Sequence, residues 1–217
     1  MVKKRDPNQI PEPALRRLPW YLAYTKLLKA QGVEVASSTF IAKSIGLDPA
    51  LVAKDLSYIN VSGKTRVGYN VENIIAVLDD FLGFTELHRA YIFGVGNLGA
   101  ALISDKGLGQ YGLEIVGGFD TDTALCGTRI KEVEIYHMDE LESVMDPEVT
   151  IGILTVPVDH AQEVTDRITQ AGIRAVWNFT PYRITVPDGV VVQNTSLYAH
   201  LAVMFNRMDE LDRAEKQ

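Results

Sequence analysis

Apolar residues fall along this chain in three different patterns, and each predicts a different kind of element. From Ala14 to Ala30 they fall at helical spacing, with Leu15, Leu18, Leu22, Leu27 and Leu28 available for a buried face. Ser37 and Ser38 offer N-caps for a second helix over Phe40 to Ile45, which Gly46 closes. Asp48 caps a third helix and Pro49 fits its first position, so it runs to about Ile59. Val61 to Val71 then change character. Glycines at 63 and 68 and β-branched residues at 61, 65, 67 and 71 predict a small hairpin. Helical spacing returns from Val71 to Phe84, and Gly83 to His88 read as a linker. Three helices and a hairpin make a winged helix, with Gly46-Leu47 as the turn of a helix-turn-helix.

Beyond residue 89 short apolar runs alternate with helical stretches, the pattern of a parallel α/β sheet. Ala90 to Phe93 lead into Gly94, Gly96 and Gly99 at G-x-G-x-x-G spacing, followed by the helix-forming run Leu98 to Ile103. Gly94 allows the tight turn, Gly96 lets a pyrophosphate approach the backbone, and Gly99 lets the helix lie close on the sheet. The N–H groups that open the helix, at Val95, Asn97 and Leu98, suit phosphate charge. The next run, Leu113 to Phe119, ends in Asp120, a carboxylate placed to accept from both ribose hydroxyls. It repels the extra phosphate of NADP, so NADH/NAD+ is the expected ligand. Val149 to Val156 form a later strand that delivers Thr155, Val156 and Pro157 to the ligand crevice. Ala175 to Trp177 form another, ending at Asn178, Phe179 and Thr180, which the same strand-end rule places beside the nicotinamide half. Asp159 to Ala171 and Ser196 to Arg213 complete the helices, the last carrying Leu197, Leu201, Val203, Met204, Phe205, Met208 and Leu211.

At 217 residues the chain suits two domains, and its composition is that of an ordinary globular protein. No apolar run reaches the roughly 20 residues that span a bilayer, which predicts a cytoplasmic protein without a membrane partner. Cys126 is the only cysteine, so an intrachain disulfide and a cysteine-built metal site are excluded, and a structural thiol is expected. No metal site is expected. The net charge of −7 is unevenly spread. Residues 1–70 hold 11 Lys or Arg against 5 Asp or Glu, and the remainder holds 10 against 23. A basic first third points to a polyanion partner for that part alone. On the third helix Lys54, Ser57 and Tyr58 are candidates for base edges in a major groove. Lys64, Thr65 and Arg66 on the wing are candidates for flanking phosphates or the minor groove.

These segments resemble the Rex family of redox-sensing repressors, in which a winged helix is fused to an NAD-binding Rossmann domain. The likeness covers nearly the whole chain. It is carried by IPEPALRRLPWYL at 10–22, VAKDLSYINVSGKTRVGYNV at 52–71, FGVGNLGAAL at 93–102, LTVP at 154–157 and NFTP at 178–181. The resemblance implies a winged helix over 1–84, a Rossmann domain over 85–195 and a domain-swapped C-terminal dimerisation helix over 196–217. It also implies a homodimer that binds double-stranded operator DNA when NAD+ is abundant and leaves it when NADH rises. Two other readings of the residues stay open: a small NAD-dependent oxidoreductase, and a DNA-binding regulator of another adenine nucleotide such as a coenzyme A derivative. Against an enzyme, none of His88, His137, His160 and His200 stands at a recognisable catalytic spacing from a Lys, Tyr or second acid.

The sequence departs from the family's pattern at several places. Ala53-Lys54-Asp55 stands where the family usually has Arg-Lys-Asp, and Lys64-Thr65-Arg66-Val67-Gly68-Tyr69 where it commonly has Lys-Arg-Gly-Val-Gly-Tyr. The wing cation has moved along by one, predicting a different operator preference. The family couples an arginine at the position of Arg17 to a tyrosine and an aspartate, positions held here by Asp105 and Ser196. Asp105 is therefore the expected partner of Arg17, in the same subunit or across the dimer. Leu197, with Tyr198 beside it, stands where an aromatic residue packs near the partner's nicotinamide.

Overall fold

The computed structural model describes residues 10–64 and 66–215. The chain divides into two compact units, with the boundary between Glu86 and Leu87. Each has its own core.

The first unit opens with α1 (Glu12–Ala30), which buries Ala14, Leu18, Tyr21, Leu22, Thr25 and Leu28. Leu15 and Leu27, expected on that face, are exposed. At 100° per residue the buried set spans one arc, and Leu27 falls on the opposite side of the helix. A short strand β1 (Val35–Ala36) precedes α2 (Ser38–Ile45), whose N-cap Ser37 accepts from the Phe40 amide at 3.0 Å. Asp48 caps α3 (Pro49–Tyr58) by accepting from the Ala50 and Leu51 amides at 2.8 and 3.2 Å. The wing is a tight turn in which Lys64 and Gly68 exchange backbone hydrogen bonds of 2.8 and 2.9 Å. Its outgoing strand, β2 (Tyr69–Asn70), pairs antiparallel with β1. Asn70 then caps α4 (Val71–Phe81), which ends three residues before the expected limit. Ile41, Val52, Leu56, Ile74 and Leu78 join Leu18, Tyr21 and Leu22 in one core.

The second unit is built on a seven-stranded sheet ordered β5-β6-β4-β3-β7-β8-β9. Its strands are β3 (His88–Phe93), β4 (Leu113–Asp120), β5 (Arg129–Ile130), β6 (Val133–His137), β7 (Ile151–Leu154), β8 (Ala175–Asn178) and β9 (Val191–Asn194). All pairs are parallel except β5 with β6. The order from β6 to β9 is that of a doubly wound dinucleotide fold, reversing direction between β3 and β7. His88, expected in the linker, is the first residue of β3. The connections include α5 (Asn97–Ser104), α6 (Gly107–Gln110), α7 (Leu141–Val144) and α8 (Ala161–Gln170). The chain then runs into α9 (Leu197–Glu215), every residue of which from Leu197 to Ala214 is exposed. Among the described residues no helix is long and apolar enough to cross a membrane.

Candidate nucleotide cleft and DNA-facing surface

The cleft of the second unit opens at the carboxyl ends of β3, β4 and β7, where the sheet reverses direction. Gly94 leaves β3 at φ +89°, a left-handed conformation costly for any residue with a Cβ. Its amide donates to Phe119 O at 2.8 Å on one side, while Thr155 on the other donates from its amide to Phe93 O (2.9 Å) and from its hydroxyl to Gly94 O (2.6 Å). A Cβ on Gly94 would stand 2.9 Å from the Thr155–Val156 peptide. One on Gly99 would run into the Gly94 carbonyl oxygen, so only glycine lets α5 close on the loop. At Gly96 nothing stands within 4 Å of the Cβ position, and the helix that begins there has no side-chain cap. Protein packing therefore does not demand the middle glycine; an approaching ligand would.

Asp120, the last residue of β4, points its carboxylate into the same corner. One oxygen accepts from the Val95 amide at 2.5 Å, the other from the Thr121 and Asp122 amides at 2.7 and 2.9 Å. The group that would read the ribose thus also ties the glycine loop to the next loop. The cleft measures about 820 Å³ and is lined by Gly94, Gly96, Asp120, Thr155, Val156 and Pro157 as the sequence predicts. Val95 is buried behind it, whereas Asn97 and Leu98 lie exposed in the first turn of α5.

The far wall escaped the sequence reading. It consists of Leu125, Met138 and Asp139 with His160, Glu163, Val164 and Arg167 of α8 and the turn before it. The last four share one helix face at i, i+3, i+4 and i+7, a signal that gains meaning only once α8 is known to border the β7 end. Arg167 is held by both oxygens of Glu142, at 2.9 and 2.8 Å, and that contact draws the Glu142 carboxyl down to about 2. Beneath the cleft Phe93 and Phe119 stack with centroids 5.4 Å apart.

Asn178, Phe179 and Thr180 do not line this cleft. Asn178 ends β8, one strand further from the reversal, and Phe179 and Thr180 follow it. Asn178 is fully buried, and its side chain accepts from the Thr180 amide and hydroxyl while donating to Tyr182 O and Asn194 Oδ1, all within 2.9 Å. Phe179 packs on Trp177 with ring centroids 4.6 Å apart. The strand-end rule places their backbone at the end of β8 but says nothing of where side chains turn. Cys126 is half-buried beside the cleft, its thiol donating to Asp122 O at 3.2 Å. Burial first, and then the carboxylates of Asp120, Glu140 and Asp122, push its pKa up. No group of three or more metal-ligating side chains occurs among the described residues.

In the first unit Lys54 and Ser57 are exposed on α3, with Tyr58 half-buried beside them. The Ser57 hydroxyl donates to Lys54 O at 2.6 Å. Lys64 and Arg66 are exposed on the wing, and among the described residues none of Lys54, Lys64 and Arg66 is in an ion pair with an acid. Thr65 lies outside the described residues. Arg66 sits at the tip with φ +63°, the left-handed position that the family commonly fills with glycine. Arg17 grips Asp55 of α3 through Nε and Nη2, at 2.7 and 2.9 Å, while Asp105, its expected partner, belongs to the second unit. The Tyr21 hydroxyl donates to the Asp55 carboxylate at 2.6 Å. Asp105 accepts from the Leu108 amide at 3.1 Å. Leu197 and Tyr198 open α9, both exposed.

Two family descriptions match parts of the chain: "Putative DNA-binding protein N-terminus" over residues 9–57 and "CoA binding domain" over 85–182. The redox-sensing transcriptional repressor Rex of Bacteroides thetaiotaomicron is 56% identical over 209 residues, 96% of this chain and 95% of its own. That of Porphyromonas gingivalis is 58% identical over 205 residues, 94% of each chain. Among solved structures, RSP in complex with beta-NAD+ and operator DNA has a TM-score of 0.88 at 32% identity, covering 95% of this chain and 96% of that one. RSP in complex with beta-NADH has a TM-score of 0.85 at the same identity, over 96% and 98%. With a winged helix and a Rossmann cleft joined in that order and this likeness along almost its whole length, the chain belongs to the Rex family of redox-sensing transcriptional repressors.

Proposed function

We propose that this chain represses transcription as a cytoplasmic homodimer that holds operator DNA and releases it when NADH rises relative to NAD+. The observation that carries the reading is one chain with two sites. One is a glycine-lined cleft closed by Asp120; the other is an exposed cationic helix and wing at Lys54, Lys64 and Arg66. The relatives are repressors rather than enzymes, so the bound nucleotide acts as a signal.

The amides that open α5 at Asn97 and Leu98 would meet the pyrophosphate, and Asp120 the adenosine ribose. Thr155, Val156 and Pro157 would border the dinucleotide's middle. The turn held by Asn178, with Phe179 and Thr180, lies toward the nicotinamide half. Along α9, Leu197, Leu201, Met204, Met208 and Leu211 recur at alternating spacings of four and three, the seam of a helix that packs on another. A second copy covers it, in keeping with a swapped dimerisation helix. NADH shifts the DNA equilibrium only by binding the DNA-incompetent dimer more tightly than the competent one. Operator DNA must weaken NADH binding by the same factor.

The test is binding to a palindromic operator duplex titrated with NADH, NAD+ and NADPH at fixed salt, since phosphate contacts make affinity steeply salt-dependent. Release by NADH alone is expected. Because residues 85–182 also match a coenzyme A-binding description, coenzyme A forms a fourth arm. Release by coenzyme A and not by NADH would replace the redox reading with an acyl-carrier one.

A further inference from the structure

We infer that Arg17, Tyr21 and Asp55 are positioning residues for operator recognition: a buried charged pin that sets the rotation of α3 and so aims Lys54 and Ser57. The inference rests on the DNA-binding reading of α3. Asp55 is 1% exposed, yet Lys54 beside it and Ser57, one turn on from Lys54, face solvent. The rest of the buried face of this ten-residue helix is Val52 and Leu56. Apolar contacts resist separation but are weakly directional, so two such side chains leave the helix free to roll slightly. A bidentate guanidinium–carboxylate contact at 2.7 and 2.9 Å fixes the plane of the carboxylate, and the Tyr21 hydroxyl at 2.6 Å fixes it from a second direction. Arg17 and Tyr21 are one turn apart on α1, so both anchors stand on a single rigid rod.

The size of the effect follows from helix geometry. A side-chain tip roughly 6 Å from the axis moves by about 2 Å when the helix rolls by roughly 20°, far more than the tolerance of a hydrogen bond to a base edge. A buried ion pair is a poor stabiliser compared with apolar side chains of the same volume. Its contribution here is direction. Arg17 is thereby occupied inside the DNA-binding unit, and the pairing raises its pKa and, with burial as the larger cause, that of Tyr21.

The test uses the full-length protein and two duplexes of equal length, one selected by the wild type from a random pool and one scrambled. Tyr21→Phe removes one directional bond and keeps the ring. The double variant Arg17→Met with Asp55→Leu replaces the pin by apolar packing, which keeps the unit folded as read by circular dichroism. Both variants are expected to bind scrambled DNA with wild-type affinity and salt slope. Their preference for the selected duplex should fall by at least tenfold in the double variant and about threefold in Tyr21→Phe, with NADH affinity unchanged. A folded double variant that keeps the wild-type preference within twofold overturns the inference. So does an equal loss on both duplexes. A wild type with no preference for any selected duplex overturns the DNA-binding reading itself, and this inference with it.

Discussion

Replacing Arg66 by glycine should stabilise the first unit while weakening its hold on DNA. Arg66 sits at φ +63° at the tip of the wing, closed beneath it by the Lys64–Gly68 pair. A residue with a Cβ pays roughly 1–2 kcal/mol for that conformation. Glycine avoids the strain but gives back about 0.4–1 kcal/mol through the larger freedom of its unfolded chain. The net gain of Arg66→Gly is about 0.5–1 kcal/mol, and for a unit of this size 1 kcal/mol moves the melting point by roughly 4–8 °C. Against that, the proposed phosphate contact of Arg66 disappears, which should lower the slope of log affinity against log salt by about 0.9. If the lost charge-assisted hydrogen bond is worth about 1.5 kcal/mol, affinity falls roughly tenfold. Arg66→Lys separates the two effects: it keeps both strain and charge, so neither melting point nor slope should change. Calorimetry and DNA titration at several salt concentrations measure both quantities. An Arg66→Gly protein that melts lower than wild type, or binds DNA with an undiminished slope, would refute the argument.

Three further outcomes are expected. Gly99→Ala drives a methyl group into the Gly94 carbonyl, so α5 must withdraw. Overpacking of this kind costs about 1–3 kcal/mol, and NADH affinity measured by calorimetry should fall at least tenfold while DNA binding without nucleotide persists. Cys126, with its pKa pushed up by burial and neighbouring carboxylates, should react with iodoacetamide at neutral pH more slowly than free cysteine. Faster reaction would contradict that environment. Glu142 has its carboxyl drawn down to about 2 by Arg167, so its contribution to stability is full above the ordinary glutamate value near 4.3 and is lost as pH falls through about 2. A carboxyl carbon NMR titration of Glu142 with a midpoint above 4 would contradict the pairing.

Residues whose role is local were legible in the sequence. Ser37 and Asp48 cap helices through amides two or three positions away, and Pro49 opens α3. Gly94, Gly96, Gly99 and Asp120 announce a nucleotide turn because its geometry tolerates few other residue types. Contacts that join distant segments were not. Arg17 and Asp55 are separated by 38 positions, and nothing in either neighbourhood marks them as partners. The α8 wall of the cleft reads from sequence as an ordinary amphipathic helix, because periodicity reveals a face without saying what it faces. β5 and β9 are short strands whose place at the sheet edges depends on neighbours already assembled.

The long helix α9, exposed from Leu197 to Ala214, sets the reaction order of the whole protein. A helix of this length gains little from its own hydrogen bonds, and its stability comes from whatever covers the Leu197–Leu211 seam. If that cover is another copy, the active species grows with the square of subunit concentration at low abundance. Halving the number of chains in a cell then removes more than half of the repressor. A chain that is intact in α9 but defective at Lys54 would poison the copies it pairs with, so recognition mutants should be dominant over wild type and α9 mutants recessive.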